Sequence, residues 1–399
     1  MPLGTPFHAR TFPLCESLNY REWSGYYTVS AYETHHEHEY NAIRNAAALI
    51  DISPLYKYLV SGRDAARLVD RVITRNVFAM AVGQVFYTPW CDEDGMVIDD
   101  GTVARLGEQQ FRWTAADPNL RWLTRNAAGL EVAIEDVSER TAALALQGPT
   151  SARVLRACAQ ADIDSLKYFH VIGGEIQGVH VDISRTGYTG DLGYEIWMDS
   201  ARALDVWDAL MRAGQAFDLK PAGMLALDVA RVEAGLLLVD VDFNGSRKAM
   251  VPSQKYTPYQ MGLERLVNPQ KGPFVGREAL ARERERGVPR MVVGLQADWS
   301  DIEALYERLG LAPVAPAAAS RLPVPVMRGN RQVGRATTTA WSPMLKQLIA
   351  LATVDAPHFT EGTRLRMEVT IDGTRHFVGA SVASTPFFNP PRKTDTPPQ

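Results

Sequence analysis

The thirteen residues from Ser184 to Ile196 hold three glycines, two tyrosines and a single glutamate, Glu195, set among strand-forming residues. Val179 to Ile183 has strand character before this stretch, and Tyr194 to Met198 alternates again after it. The glycines must therefore carry the chain through a tight excursion between two strands. Gly187, Gly190 and Gly193 can adopt positive φ and let backbone approach a bound molecule. Glu195 falls inside the second strand, where a carboxylate is costly to bury unless donors meet it. A flat edge with two parallel N–H groups is its natural complement. A glycine-rich hairpin with a solvent-facing glutamate has the same spacing, and the segment alone does not separate the two readings.

At 399 residues the chain exceeds what one core usually supports, and 46% hydrophobic residues suffice to fill two or three. A net charge of −4 without long runs argues against nucleic acid or an anionic membrane surface as the main partner. No run approaches the ~18 apolar residues of a membrane span, and residues 1–16 lack the apolar stretch of a leader, so a cytoplasmic location is expected. Cys15, Cys91 and Cys158 lie far apart without CxxC spacing, which suits reduced thiols rather than disulfides or zinc. His35, His36 and His38 with Glu37 and Glu39 provide too few converging ligands for a metal, and none is expected.

Along the chain, a helix is expected from Tyr32 to Ala47, preceded by Trp23-Ser24-Gly25-Tyr26-Tyr27 as a covering loop. Between Ile52 and Leu263 strands (58–60, 111–114) and helices (64–72, 151–157) alternate irregularly, which indicates α+β rather than repeated βαβ units. Pro221 to Gly235 reads as a helix with Pro near its start and Gly after its end. Past Leu280 a charged helix end gives way to short strands such as 291–295, marking a separate β-rich domain. Leu311 to Pro325, rich in proline and alanine, reads as a linker or insertion, and residues 390–399 as a polar tail; neither is expected to carry chemistry. Asp99-Asp100-Gly101 follows an apolar strand, and D-G is also a common turn signal.

The segment Ser184 to Glu195 resembles the S-R-T-G-Y-T-G-x-x-G-[FY]-E signature of the aminomethyltransferase (glycine cleavage T-protein) family of tetrahydrofolate-dependent one-carbon transferases. Ala145-Leu146-Gln147-Gly148-Pro149 is similar to its A-L-Q-G-P and residues 95–100 to its G-G-I-I-D-D. Residues 221–235 resemble its P-x-G-x-x-A-R-D-x-x-R-L-E-A-G helix, and Phe274 to Leu280 its F-[IV]-G-[KR]-E-A-L. The resemblance covers roughly residues 30–385 in order. It implies an α+β, multidomain cloverleaf fold with two intertwined subdomains over 1–280, a C-terminal β-barrel over 281–390 and a disordered tail over 391–399. It also implies tetrahydrofolate as cofactor. The family's folate-pocket positions fall on Tyr87, Asp100, Tyr168, Tyr188, Glu195 and Asp228, with Asp100 and Tyr87 at the reacting N5/N10 edge as the catalytic pair.

Departures from the pattern bear on the substrate. Leu227 stands where the family has an arginine, which removes a cation from the expected pocket wall, and Ala115-Ala116-Asp117 replaces V-N-A. The motifs near residues 23–27 and 51–56 differ from those of glycine-cleavage enzymes, which makes a lipoyl carrier protein an unexpected partner. Text around 87–90 and 116–118 is similar to the demethylase branch typified by dimethylsulfoniopropionate demethylase. The expectation is methyl transfer from a small sulfonium, amine or methoxy compound to folate N5, with Trp90, Leu227 and Tyr256 on the substrate side. Glycine-cleavage aminomethyl transfer and non-catalytic folate binding are the alternatives.

Overall fold

The structure is a computed structural model and describes residues 1–396. Three sheet-based lobes enclose one cavity. The first is a seven-stranded sheet in the order Ala159–Gln160, Val171–Ile176, Val179–Ser184, Gly193–Asp199, Thr141–Gln147, Ala47–Asp51 and Leu219–Pro221. All its pairings are antiparallel except the last. Alternation splits each strand between two cores. Leu144, Leu146 and Ile196 pack with helices Ser151–Cys158 and Ala203–Gly214, whereas Ala143, Ala145 and Trp197 pack with helix Met224–Glu233.

The second lobe is an antiparallel sheet in the order Val85–Cys91, Val97–Gly107, Gln110–Ala115, Tyr56–Ser61, Ala133–Asp136, with helices Ala65–Val72 and Leu120–Asn126 against its core face. The third is a closed six-stranded barrel built from strands between Arg290 and Ala383, its interior filled by Leu295, Val326, Ala350 and Met367. The α+β architecture with a C-terminal barrel is thus as expected.

Several local expectations change. The helix expected from Tyr32 begins only at Glu37, because the Glu39 carboxylate takes the N–H groups of Tyr32 (2.7 Å) and Glu33 (3.3 Å), and it ends at Asn45 so that Ala47 can enter the sheet. Pro221 belongs to an edge strand, and the following helix starts at Met224. Residues 23–27 form the turn of a β-hairpin, with Ser24 and Gly25 at φ 50° and 85°, and its tip borders the cavity. Asp99-Asp100-Gly101 is not a turn: it lies inside strand Val97–Gly107, paired with Thr88, Pro89 and Trp90. Gly101 is required there because a Cβ would stand 2.1 Å from the Thr114 carbonyl oxygen.

The two segments expected to stand apart do not. Ser320 pairs with Thr339 of the barrel, and Arg321 reaches helix Met224–Glu233. The tail, expected to be disordered, forms a short 3-10 turn at Pro391–Lys393. Arg392 there grips the Asp191 carboxylate through two hydrogen bonds of 2.6 and 2.8 Å. Its last residues, 397–399, lie outside the described ones.

The lobes meet at the end of helix Met224–Glu233. The Glu233 carboxylate, fully buried, accepts hydrogen bonds from Tyr40 Oη (2.5 Å), Arg44 Nε and Nη2 (2.9 and 2.6 Å) and Ser342 Oγ of the barrel (2.5 Å). Arg44 also reaches Asp191 in the glycine-rich segment, at 3.4 Å. Replacing Arg44 by methionine leaves buried carboxylate charge short of a counter-ion. It should cost about 3–5 kcal/mol, measured as a lowered urea midpoint.

Candidate active site

A cavity of about 1390 Å³ lies between the three lobes. Glu195 reaches it from strand Gly193–Asp199. One of its oxygens, Oε2, accepts from Thr186 Oγ1 at 2.7 Å, and Oε1 has no partner among the described residues. Burial raises the Glu195 carboxyl above the usual range, against the Thr186 hydroxyl and the nearby Arg112 guanidinium, which hold it down. The carboxylate is therefore fixed in place, with one oxygen left to receive a donor.

The glycine-rich segment is held from below by Gln147, the buried glutamine of Ala145-Leu146-Gln147. Its Nε2 donates to the carbonyls of Thr186 and Tyr194 (both 3.2 Å), and its Oε1 accepts from Thr189 Oγ1 (2.8 Å). A Cβ on Gly187 or Gly193 would stand 2.0 or 2.2 Å from Gln147 Oε1. Those two glycines thus make room for a protein side chain rather than for a ligand, and of the three only Gly190 takes positive φ, 74°.

On the opposite wall, Tyr87 Oη donates to Asp100 Oδ2 at 2.6 Å. Asp100 faces Pro89 across the strand pair, so Tyr87 is its diagonal neighbour on the same face. Strand parity sends Asp99 the other way, into the core, where it accepts from Asp100 N (2.8 Å), Asp117 N (3.0 Å) and Asn119 Nδ2 (3.0 Å). Burial pushes the Asp100 carboxyl from 3.8 up to about 6, with the Tyr87 hydrogen bond opposing the rise. Tyr87 itself is pushed well up, by burial and by the Asp100 charge.

Tyr188 and Tyr168 complete the wall. The Tyr188 hydroxyl donates to the Leu237 carbonyl, while Tyr168 lies edge-on to Phe169 at 4.7 Å with the Lys393 ammonium 5.9 Å from its ring. Asp228 is also at the wall but is not free. Arg321 Nη2 meets both its oxygens at 2.7 Å, Arg21 Nη1 meets Oδ2 at 3.2 Å, and Arg231 Nε approaches Oδ1 to 3.7 Å. Leu227 lines the same cavity.

Trp90 and Tyr256, expected on the substrate side, do not line the cavity. Parity points Trp90 away from Tyr87 into the core, fully buried, edge-on to Trp113 at 4.9 Å and donating to Asn119 Oδ1 at 3.1 Å. Tyr256 is also fully buried, bonded to Thr353 Oγ1 at 2.8 Å beneath the Arg290 guanidinium. The wall cations absent from the sequence reading are Arg21, Arg75, Lys248, Arg265, Arg321 and Lys393. Arg21 and Arg321 come from the N-terminal hairpin and the proline-rich segment, where no motif marks them.

Asp100 yields a stability test. Its folded-state carboxyl titrates above its unfolded one, so ionising it opposes folding. That destabilisation is absent below about pH 4, grows as pH rises to about 6 and is complete above it. Asp100→Asn, which keeps an acceptor for Tyr87, should therefore be more stable than the parent at pH 7 to 8, by up to about 3 kcal/mol. The gap should close near pH 4, read from urea midpoints across pH.

Comparison with known proteins places this geometry. Residues 16–271 match the family model of the GCVT N-terminal domain, and residues 308–389 that of the glycine cleavage T-protein C-terminal barrel domain. The chain is 35% identical over 359 residues to an aminomethyltransferase of Moorella thermoacetica, covering 89% of this chain and 90% of that protein. It is 34% identical over 404 residues to a trimethylamine-oxide aldolase of Ruegeria pomeroyi, covering 98% of this chain but 47% of the relative, about half its length. A crystal structure of the glycine cleavage system aminomethyltransferase T from Bartonella henselae has the same fold, with a TM-score of 0.82 at 23% identity over 98% of this chain and 99% of that one. No helix among the described residues is long and apolar enough to cross a membrane. The chain belongs to the aminomethyltransferase (glycine cleavage T-protein) family, whose members use tetrahydrofolate.

Proposed function

We propose that the protein transfers a methyl group from a small methylated donor to N5 of tetrahydrofolate. The observation that carries this reading is the pairing, across one cavity, of a carboxylate oxygen left open on Glu195 with the Tyr87–Asp100 couple on the facing wall. A pterin carries adjacent amide and amine N–H groups, and Glu195 Oε1, with Oε2 held by Thr186, is the acceptor that suits them. Tyr188 and Tyr168 would flank the ring system. When bound, tetrahydrofolate supplies the nucleophilic amine that accepts the carbon.

The chain's own part is positioning and proton handling. The cavity wall contains no cysteine or histidine among the described residues, which favours direct transfer over a covalent intermediate on the protein. Asp100, titrating near 6, is ionised at neutral pH, and its Oδ1 can receive the proton lost by the alkylated amine while Tyr87 holds Oδ2. A sulfonium or quaternary ammonium donor leaves as a neutral group and needs no acid on its side. Leu227 in place of the family's arginine, and the relationship to the aldolase across 98% of this chain, support a small-molecule donor. The names of relatives such as the Moorella thermoacetica protein favour a second reading, aminomethyl transfer to form methylene-folate.

The purified protein should be incubated with tetrahydrofolate and a panel of methylated sulfonium, amine and methoxy compounds, and the folate product identified by mass. Methylfolate is expected; methylene-folate formed from an aminomethyl-lipoyl protein would replace this reading with the second. Glu195→Gln should weaken folate binding by about 10- to 100-fold. Asp100→Asn should retain binding and lose most turnover.

A further inference from the structure

We propose that Arg21 and Arg321 form a carboxylate-binding wall of the cavity, so that the methyl donor is a zwitterion held by its carboxylate with its methylated cation turned toward Asp100. This rests on the methyl-transfer reading and narrows its substrate class.

The charges around Asp228 do not cancel. Three guanidiniums, Arg21, Arg231 and Arg321, share two carboxylates, Asp228 and Asp242, and no other acid lies within 4 Å of Arg21 or Arg321 among the described residues. Asp242 is already committed, accepting from Arg231, from Thr337 and Thr338 of the barrel (2.6 and 2.8 Å) and from Leu238 N (2.9 Å). One positive charge is left over, and it lies at the cavity. The Arg21 and Arg321 side chains are 23% and 37% exposed, against 6% for Asp228 and none for Arg231. Both arginines border the cavity.

Their hydrogen-bonding capacity is also unfilled. Arg321 uses Nη2 alone on Asp228, which leaves Nε and Nη1 without an acceptor among the described residues. Arg21 spends Nη1 on Asp228 and Nε on Ser30 Oγ (3.3 Å), with Nη2 unused. Planar guanidinium edges in this state match a carboxylate. A surplus of one charge, beside an aspartate, suits a monoanion better than a phosphate. Leu227, Met224 and Trp23 border the same end and lower its polarity, which strengthens the contact. Tyr188 lies within electrostatic reach of both Asp100 and Asp228. An onium group turned toward Asp100 and a carboxylate on the arginines would satisfy both ends.

A carboxylate could also come from the glutamate tail of folate, and the test separates the two sources. Calorimetry on the protein with and without tetrahydrofolate would compare trimethylglycine and dimethylsulfoniopropionate with their primary amides. The carboxylates should bind about 10- to 100-fold more tightly. Arg321→Met and Arg21→Met should each erase most of that preference while leaving folate affinity and thermal midpoint near the parent's, and Arg321→Lys should retain part of it. Amides that bind as well as carboxylates, no binding by any carboxylate, or a loss confined to folate would overturn the proposal. Mass analysis of the folate product is read separately. Carboxylates bound through the arginines with no methylfolate formed would refute methyl transfer and leave the wall standing, and methylfolate formed equally from amides would do the reverse.

Discussion

The Glu233 carboxylate is the interaction on which the architecture turns. It is fully buried, and its four donor contacts come from Tyr40 and Arg44 of helix Glu37–Asn45 and from Ser342 of the barrel. Through Arg44 the network extends to Asp191, and through Asp191 to Arg392 of the tail. A charge in such a place is tolerable only when every partner is present. The network therefore enforces the relative placement of elements far apart in the chain, and the cavity is the space left between them.

Helix Met224–Glu233 places Asp228 at the cavity wall and Arg231, fully buried, beneath it. Arg231 ties it to Asp242 and to Thr338 Oγ1 of the barrel at 2.9 Å, so the helix braces the site from behind while its neighbours present charge to the interior. Across the cavity, a two-residue period divides the labour between adjacent acids. Asp99 is consumed by three N–H donors in the core, and Asp100 is left on the open face with a tyrosine hydroxyl. Burial raises both carboxyls, but only Asp100 lines the cavity.

The substitution at Leu227 takes on a different meaning in three dimensions. Its effect on the pocket wall is not a simple loss of positive charge, because Arg21 and Arg321 arrive there from segments that are remote in sequence. The positive charge present there is carried by partly exposed guanidinium edges rather than by a side chain at position 227. The charge at this end of the cavity is accordingly a property of the hairpin and the proline-rich segment as much as of the helix.

The glycine-rich signature, the A-L-Q-G-P strand end and the acidic pair at 99–100 were legible from residue order, because each is a local pattern whose backbone requirement is written in neighbouring residues. Through the family resemblance they carry, these motifs led to the α+β class, the barrel and the family, and the resemblance pointed to Glu195, Asp100, Tyr87, Tyr168 and Tyr188, all of which line the cavity. Trp90 and Tyr256 were misplaced because face assignment depends on strand register and on which surface a neighbouring lobe covers, and neither is encoded locally. The roles of Gln147, Arg21, Arg321 and the tail were decided only by tertiary structure. Each acts on a partner tens to hundreds of positions away, and pairings of that kind exist only once the lobes have closed around the cavity.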